Sequence, residues 1–316
     1  MTPRGELVTL AQATIADGSK SFAAASRLFD RTTRERVWLL YAWCRRCDDL
    51  IDGQDLGGAL ADVDDVSARL EQVRALTRLA LSGTETGDIA FDCLRVVAAE
   101  TGLTQAMADA VIDGFALDAK GWRPQTEADM MRYCWHVAGA VGVMMAVVMG
   151  VRADDTATLE RACDLGLAFQ LANVMRDVAE DFAGGRCYLP ADWLAEEGIA
   201  ADDLMNPVYR DALAGIALRM HEQSTAHEAS ARIGATRLSW RQRWAILSAA
   251  GIYGDIARQV ARRGGAAWDS RTVVSNAQKA GWIARALAQT AWPVSARLRR
   301  MARARRFSMR DFAGVV

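Results

Sequence analysis

Lysine is almost missing from this chain. Only Lys20, Lys120 and Lys279 occur, and arginine supplies the rest of the 38 basic side chains. A GC-rich genome produces the same bias, so it carries little functional weight. Excess charge is missing too: the formal net charge is −1, which excludes a nucleic-acid binder that works by overall positive charge. Proline is scarce, with five at positions 3, 124, 190, 207 and 293, so long stretches have no backbone breaker. There is no alternating strand pattern, hairpin turn signal, internal repeat or low-complexity linker. The longest apolar run, 137–151, falls short of the roughly 20 residues a bilayer span needs, which favours a buried core helix. The first ten residues carry Arg4 and Glu6 and lack the apolar stretch of a signal peptide. The six cysteines (44, 47, 93, 134, 163 and 187) are scattered, so free thiols in a reducing cytoplasm are expected. Cys44-Arg45-Arg46-Cys47 has no second Cys-x-x-Cys or His pair to complete a zinc site. A di-iron carboxylate bundle fails as well, because none of His136, His221 or His227 has Glu three residues before it.

What is present is apolar and helical in period. Hydrophobic residues make up 51% of 316 residues and charged ones 24%, enough for a sizeable core. The expectation is one all-α domain over 1–316, with a basic tail from about 297. Thr32 and Glu35 fit a capping box opening a helix that runs to about Asp52. Further helices are expected near 62–81, 86–100, 104–119, 126–151, 155–182, 208–232, 240–264 and 271–302.

Two of these helices carry polar stripes where an apolar helix should have none. At 100° per residue, Arg45, Asp48, Asp49 and Asp52 share an arc of roughly 100°, which Tyr41 joins. Gln170, Asn173, Arg176, Asp177, Glu180 and Asp181 share an arc of roughly 140° on a helix otherwise made of Leu, Ala, Val, Phe and Met. A lone Asp-x-x-x-Asp on a helix is usually a solvated face. Two of them on apolar helices, each beside arginine, point to a cavity that needs a cation. Oxygen-only ligands at that spacing suit Mg²⁺, which takes one or two carboxylates with waters and phosphate oxygens. Gly18-Ser19-Lys20-Ser21-Phe22, just before a helix, offers hydroxyls, N–H groups and a cation to a diphosphate, although such segments are mostly ordinary caps. Gly139 and Gly142 allow either close helix packing or a slot for a long apolar chain.

Together these segments resemble the squalene/phytoene synthase family. The resemblance is carried by Asp48-Asp49-Leu50-Ile51-Asp52, by the stretch from Tyr133 to Gly142, and by Gln170-x-x-Asn173-Val174-x-Arg176-Asp177-Val178-x-Glu180-Asp181, which continues into Arg186-x-Tyr188-x-Pro190. It runs from about Ser19 to Ser275. Phrases such as Tyr41-Ala42-Trp43-Cys44-Arg45 are most like the bacterial phytoene synthases. The resemblance implies a helical fold around a central cavity, and a head-to-head condensation of two geranylgeranyl diphosphates through a cyclopropyl diphosphate to phytoene. It implies that Asp48, Asp52, Asp177 and Asp181 hold Mg²⁺ (Mn²⁺ as a substitute), with Asp49, Asn173 and Glu180 near the metal. Ser19, Ser21, Arg45, Gln170, Asn173 and Arg176 would contact diphosphate, and Tyr253 and Arg271 would close the site. Gly18 departs from relatives that carry histidine there.

Three rivals stand beside this reading. A farnesyl-diphosphate enzyme making dehydrosqualene or squalene would use the same motifs. A head-to-tail chain-elongating prenyltransferase shares the first motif, and Tyr188-x-Pro190 disfavours it. A non-catalytic assembly factor of the same fold would be expected to have lost aspartates that are all present. Greasy substrates also suggest peripheral contact with a membrane's inner face, or with upstream or downstream pathway enzymes. The expected contact is Arg297, Arg299, Arg300, Arg303, Arg305, Arg306 and Arg310, interleaved with Leu298, Met301, Phe307 and Met309, with Trp282 and Trp292 upstream.

Overall fold

Helices begin where side-chain oxygens can take the orphan N–H groups of a first turn. In the computed structural model, which describes residues 2–52 and 66–312 (without the side chains of Lys20, Ser21 and Asp52), Ser19, Asp88, Thr104, Thr126, Asp155, Ser275 and Ser295 all act this way. The helices are α1 (Arg4–Gly18), α2 (Lys20–Ser26), α3 (Arg31–Asp52), α4 (Val66–Leu81), α5 (Ile89–Glu100), α6 (Gln105–Ala119) and α7 (Glu127–Cys134). They continue as α8 (Ala140–Val148), α9 (Thr156–Ala183), α10 (Ala191–Glu196), α11 (Arg210–Gly234), α12 (Trp240–Arg263), α13 (Asn276–Ala291) and α14 (Ala296–Arg303). No strand occurs among the described residues.

Several expectations need correction. The cap of α3 is not Thr32 with Glu35: Asp30 accepts from the Thr33 N–H at 2.9 Å and hydroxyl at 2.7 Å, while Glu35 pairs with Arg31 and Arg4. Helix α1 was not anticipated, because its buried stripe is only Leu7, Ala11 and Ile15; the short α10 was also missed. The expected helix 271–302 is two helices, broken at Trp292-Pro293, since proline disfavours helical geometry in the residue before it and lacks an N–H. The expected helix 126–151 is interrupted by a π-turn at Trp135–Gly139. The stretch Glu127–Val148 is long and apolar enough to cross a membrane by composition, yet most of it lies inside the protein. The first four residues of the helix expected from 62 lie outside the described residues.

One continuous apolar core runs from Leu7 on α1 to Phe312 near the C-terminus. Helix α3 packs on α1, α4, α5, α6 and α8, whereas α9 packs on α8, α11 and α12. Helices α8 and α9 meet backbone to backbone: a Cβ on Gly142 would overlap the carbonyl oxygen of Ala162, and one on Gly166 that of Ala138. These glycines fix how near the two helices sit.

The basic tail is tied down, contrary to a freely solvated terminus. The Arg305 guanidinium reaches Asp164, fully buried on α9, and donates to Ser230 Oγ at 2.9 Å. Asp164 also meets His227 Nδ1 at 2.8 Å and accepts from the Ser230 hydroxyl. Arg306 pairs with Glu127 at 2.8 Å, and Arg310 pairs with Glu160. Asp164 lies on α9 but about 100° from the edge of the polar stripe, so the stripe alone gave no sign of it.

Two stability predictions follow from this packing. Arg305→Ala strips Asp164 of its cation and should cost about 2–3 kcal/mol, read as a lower urea midpoint at unchanged m-value; an unchanged midpoint would disprove the anchor. Gly166→Ala should cost about 1–3 kcal/mol through overpacking, despite alanine's better helix propensity; a stabilised variant in thermal melts would contradict the backbone contact.

Candidate active site

Helices α3 and α9 do not pack flank to flank; between them lies a cavity of about 320 Å³. Its walls are mainly apolar, including Phe22, Val137, Met145, Leu165 and Ile246. Gly142 and Gly166 also line it, so the small residues serve both uses the sequence allowed: close packing and room beside it. The polar positions are Ser19, Tyr41, Gln170, Asn173 and Tyr253, with Arg161 and Thr158 further along. The structure thus gathers four of the expected site residues, Ser19, Gln170, Asn173 and Tyr253, around one space.

The aspartates stand beyond that wall. On α3 the lining residues Tyr41 and Cys44 are followed one turn later by Asp48; on α9 Gln170 and Asn173 are followed by Asp177 and Asp181. Each helix therefore passes from an apolar wall into a carboxylate end. Arg45 reaches Asp48 Oδ2 at 3.2 Å and Asp49 Oδ1 at 2.8 Å. Asp49 is only 4% exposed, and Arg45 is one of its partners. Arg176 Nε donates to Asp177 Oδ1 at 2.7 Å, and Arg271 Nη2 reaches the same oxygen at 2.9 Å. Arg271 also approaches Glu180 at 4.0 Å. Asn173 donates to Gln170 Oε1 at 3.4 Å. Tyr253 stacks on Phe169 with ring centroids 4.1 Å apart. The side chains of Ser21 and Asp52 lie outside the described residues.

Charge is not balanced at the end of α9. Burial, then the neighbouring Asp177, push the Asp181 carboxyl up to about 7, with Asp118 and Glu180 adding to the rise. Such a crowd of oxygen donors is the condition a hard divalent cation relieves. No group of three or more His, Cys, Asp or Glu residues arranged to hold a metal by themselves occurs among the described residues.

Asp118 on α6 was missed from the sequence, where it is one acid at the end of an ordinary amphipathic helix. It accepts from Tyr133 Oη at 2.9 Å and from Tyr188 Oη at 2.7 Å, and the two rings stack at 4.8 Å. Burial raises both phenols well above their ordinary value. The turn that delivers Tyr188 needs Gly185 at φ 75°, a left-handed conformation that glycine takes without strain. Gly18 also has a physical reason: a Cβ there would run into the Tyr41 hydroxyl, so histidine at this position requires Tyr41 to move. Cys44 lines the cavity, and burial beside Asp48 pushes its thiol up to about 12. Cys47 is fully buried in the core.

A profile of squalene/phytoene synthases matches residues 15–278. The chain belongs to the squalene/phytoene synthase family. Among curated relatives of this squalene/phytoene synthase family member, a phytoene synthase of Pseudescherichia vulneris is 46% identical over 275 residues, covering 86% of this chain and 88% of that protein. A 15-cis-phytoene synthase of Enterobacter agglomerans is 45% identical over 274 residues, covering 86% and 92%. Among solved structures, a dehydrosqualene synthase bound to ligand superposes with a TM-score of 0.80 at 27% identity, covering 90% of this chain and 96% of that one. The family match spans the first acidic motif, the Tyr133–Gly142 segment and the second acidic motif, as the sequence resemblance implied.

A raised carboxyl favours the fold while it is neutral. Its contribution is complete below the unfolded value of 3.8 and is lost as pH rises through about 7. In metal-free protein the melting temperature of Asp181→Asn, whose side chain stays neutral, should therefore pull ahead of wild type as pH climbs from 4 to 8 and level off above that range. A gap independent of pH would show that Asp181 is not strained.

Proposed function

We propose that this chain is a 15-cis-phytoene synthase that joins two geranylgeranyl diphosphates head to head, through a cyclopropyl diphosphate, at the start of a carotenoid pathway. The observation that carries this reading is an apolar cavity whose flanking helices both end in carboxylates paired with arginine. The phytoene synthase names of relatives at 44–46% identity support the C20 substrate over the C15 alternative. The intact acidic motifs argue against a non-catalytic assembly factor.

Prenyl-diphosphate enzymes of this kind work with a divalent metal. Mg²⁺, with Mn²⁺ as a substitute, is the proposed ion, and when bound it would supply the Lewis acid that eases diphosphate departure. Asp48, Asp52, Asp177 and Asp181 are the proposed carboxylate ligands, with Asn173 and Glu180 beside them. Arg45, Arg176 and Arg271 are placed to neutralise the departing diphosphate. Arg176 and Arg271 both pair with Asp177, and engaging a diphosphate would have them exchange that carboxylate for phosphate oxygens. Arg271 is half exposed. Ser19, Ser21, Gln170 and Asn173 orient the diphosphate by hydrogen bonds. The apolar walls keep water from an allylic cation. The faces of Phe22, Tyr41, Phe169 and Tyr253 offer it negative quadrupoles.

Peripheral membrane contact is the proposed route for greasy substrate and product. Trp292 is 69% exposed, and Arg297 and Arg300 on the following α14 are exposed as well, which supports it. Trp282 does not belong there: it packs against Gly251, with Arg258 over its ring at 4.7 Å. Deleting the tail would also remove the Arg305 anchor, so Trp292→Ser with Arg297→Ala is the cleaner probe of vesicle binding.

The decisive assay incubates the enzyme and Mg²⁺ with C20 or C15 diphosphate and identifies the hydrocarbon by mass. Phytoene from C20 is expected. Asp177→Asn should cut turnover by about 100-fold or more with helical content intact. Preferential conversion of the C15 substrate would replace this reading with the dehydrosqualene one.

A further inference from the structure

Helix α14 and the turn after it close over a second cavity of about 450 Å³. Its walls bring together Arg161 of α9, Arg299 and Arg303 of α14, and Arg305 and Arg306 of the following turn, against a single acid, Asp311. Two of these guanidiniums are neutralised elsewhere, Arg305 by Asp164 and Arg306 by Glu127. Arg161 donates to the Ser230 carbonyl at 3.2 Å and its hydroxyl at 3.1 Å, with Asp164 and Glu160 near enough to act on it. Arg299 and Arg303 have no carboxylate partner among the described residues. Asp311 is engaged by the Ser308 N–H at 2.6 Å and hydroxyl at 3.0 Å.

A merely solvated basic face would spread its charges outward. Here Arg299 and Arg303, which have no carboxylate partner among the described residues, meet three further guanidiniums on a concavity, which focuses a positive field. Burial, and then the nearby Arg305, hold the Arg161 guanidinium below the usual arginine range, a sign of crowding that an anion relieves. The planar fork of arginine matches phosphate oxygens in bidentate fashion.

We propose that this pocket binds a phosphate-bearing anion, a phosphate monoester or diphosphate group, at a site distinct from the carboxylate end of the apolar cavity. The two places are well separated: Arg161 precedes Asp177 by about 24 Å of helix. Arg161 also lines the inner part of the apolar cavity, so the occupied pocket shares one wall with it. The anion bridges α9 to α14 and tightens the tail. This inference does not depend on the substrate assigned above.

The test uses the full chain without divalent metal, titrated calorimetrically with inorganic pyrophosphate, and in parallel sedimented with vesicles containing phosphatidic acid. Arg299→Ala with Arg303→Ala changes the pocket. Arg297→Ala with Arg300→Ala removes equal charge from the same helix outside it. Pyrophosphate affinity should fall about tenfold or more in the first pair and hold in the second, since each lost charge-assisted contact is worth about 1.5–3 kcal/mol. If only the vesicles bind, with the same dependence on the first pair, the ligand is a lipid headgroup. Equal loss of pyrophosphate affinity in both pairs, binding of either probe that is insensitive to Arg299 and Arg303, or no binding of either probe by wild type would each overturn the proposal.

Discussion

A helix buried along most of its length must find a partner for every charge it carries, and α9 carries charge at both ends. At the N-terminal end Asp164 sits at 0% exposure and is met by His227, Ser230 and Arg305. At the C-terminal end Asp177 takes Arg176 and Arg271, while Asp181 stays short of positive charge and rises to about 7. One requirement gives two outcomes. Full compensation makes an anchor that draws the C-terminal segment onto the body. Incomplete compensation, with Arg186 only partly offsetting burial and Asp177, leaves a carboxyl that stays protonated up to about 7. Removing an isolated charge from water costs several kcal/mol, so neither end could be left as it is without neighbours arranged around it.

The apolar stretch between those ends matters as much. Gly142 and Gly166 let α8 lie against α9 on the same face that carries the polar stripe further along the helix. Room then remains toward α3, whose Tyr41 and Cys44 form the facing wall. The cavity is the space left between two helices that both pack on α8 and otherwise on different neighbours.

How much of this was legible depended on range. The 3.6-residue period and the near absence of proline made the long helices readable, and the two acidic stripes emerged from the same arithmetic. Elements held by few contacts or by distant partners did not. Helix α1 buries three side chains, too narrow a stripe to stand out. The Trp292-Pro293 break was readable in principle, but the surrounding apolar spacing outweighed it. Arg305 meets Asp164 across 141 residues, and no local pattern records such a pairing. Asp118 becomes informative only when Tyr133 and Tyr188 arrive from separate segments. Glu35 shows the opposite error: a local rule was satisfied on paper, while two arginines made a better offer.

Cys44 has a consequence for self-protection. An allylic diphosphate is an alkylating agent, and once ionised it attacks any good nucleophile within reach, including the vessel that holds it. A thiolate on the wall of such a chamber would be prenylated after a few turnovers. Burial and the adjacent Asp48 keep the Cys44 thiol protonated up to about 12, so the sulfur facing the reactants is in its least nucleophilic form. The low-polarity environment that lets a carbocation live long enough to rearrange also keeps that thiol from becoming a thiolate.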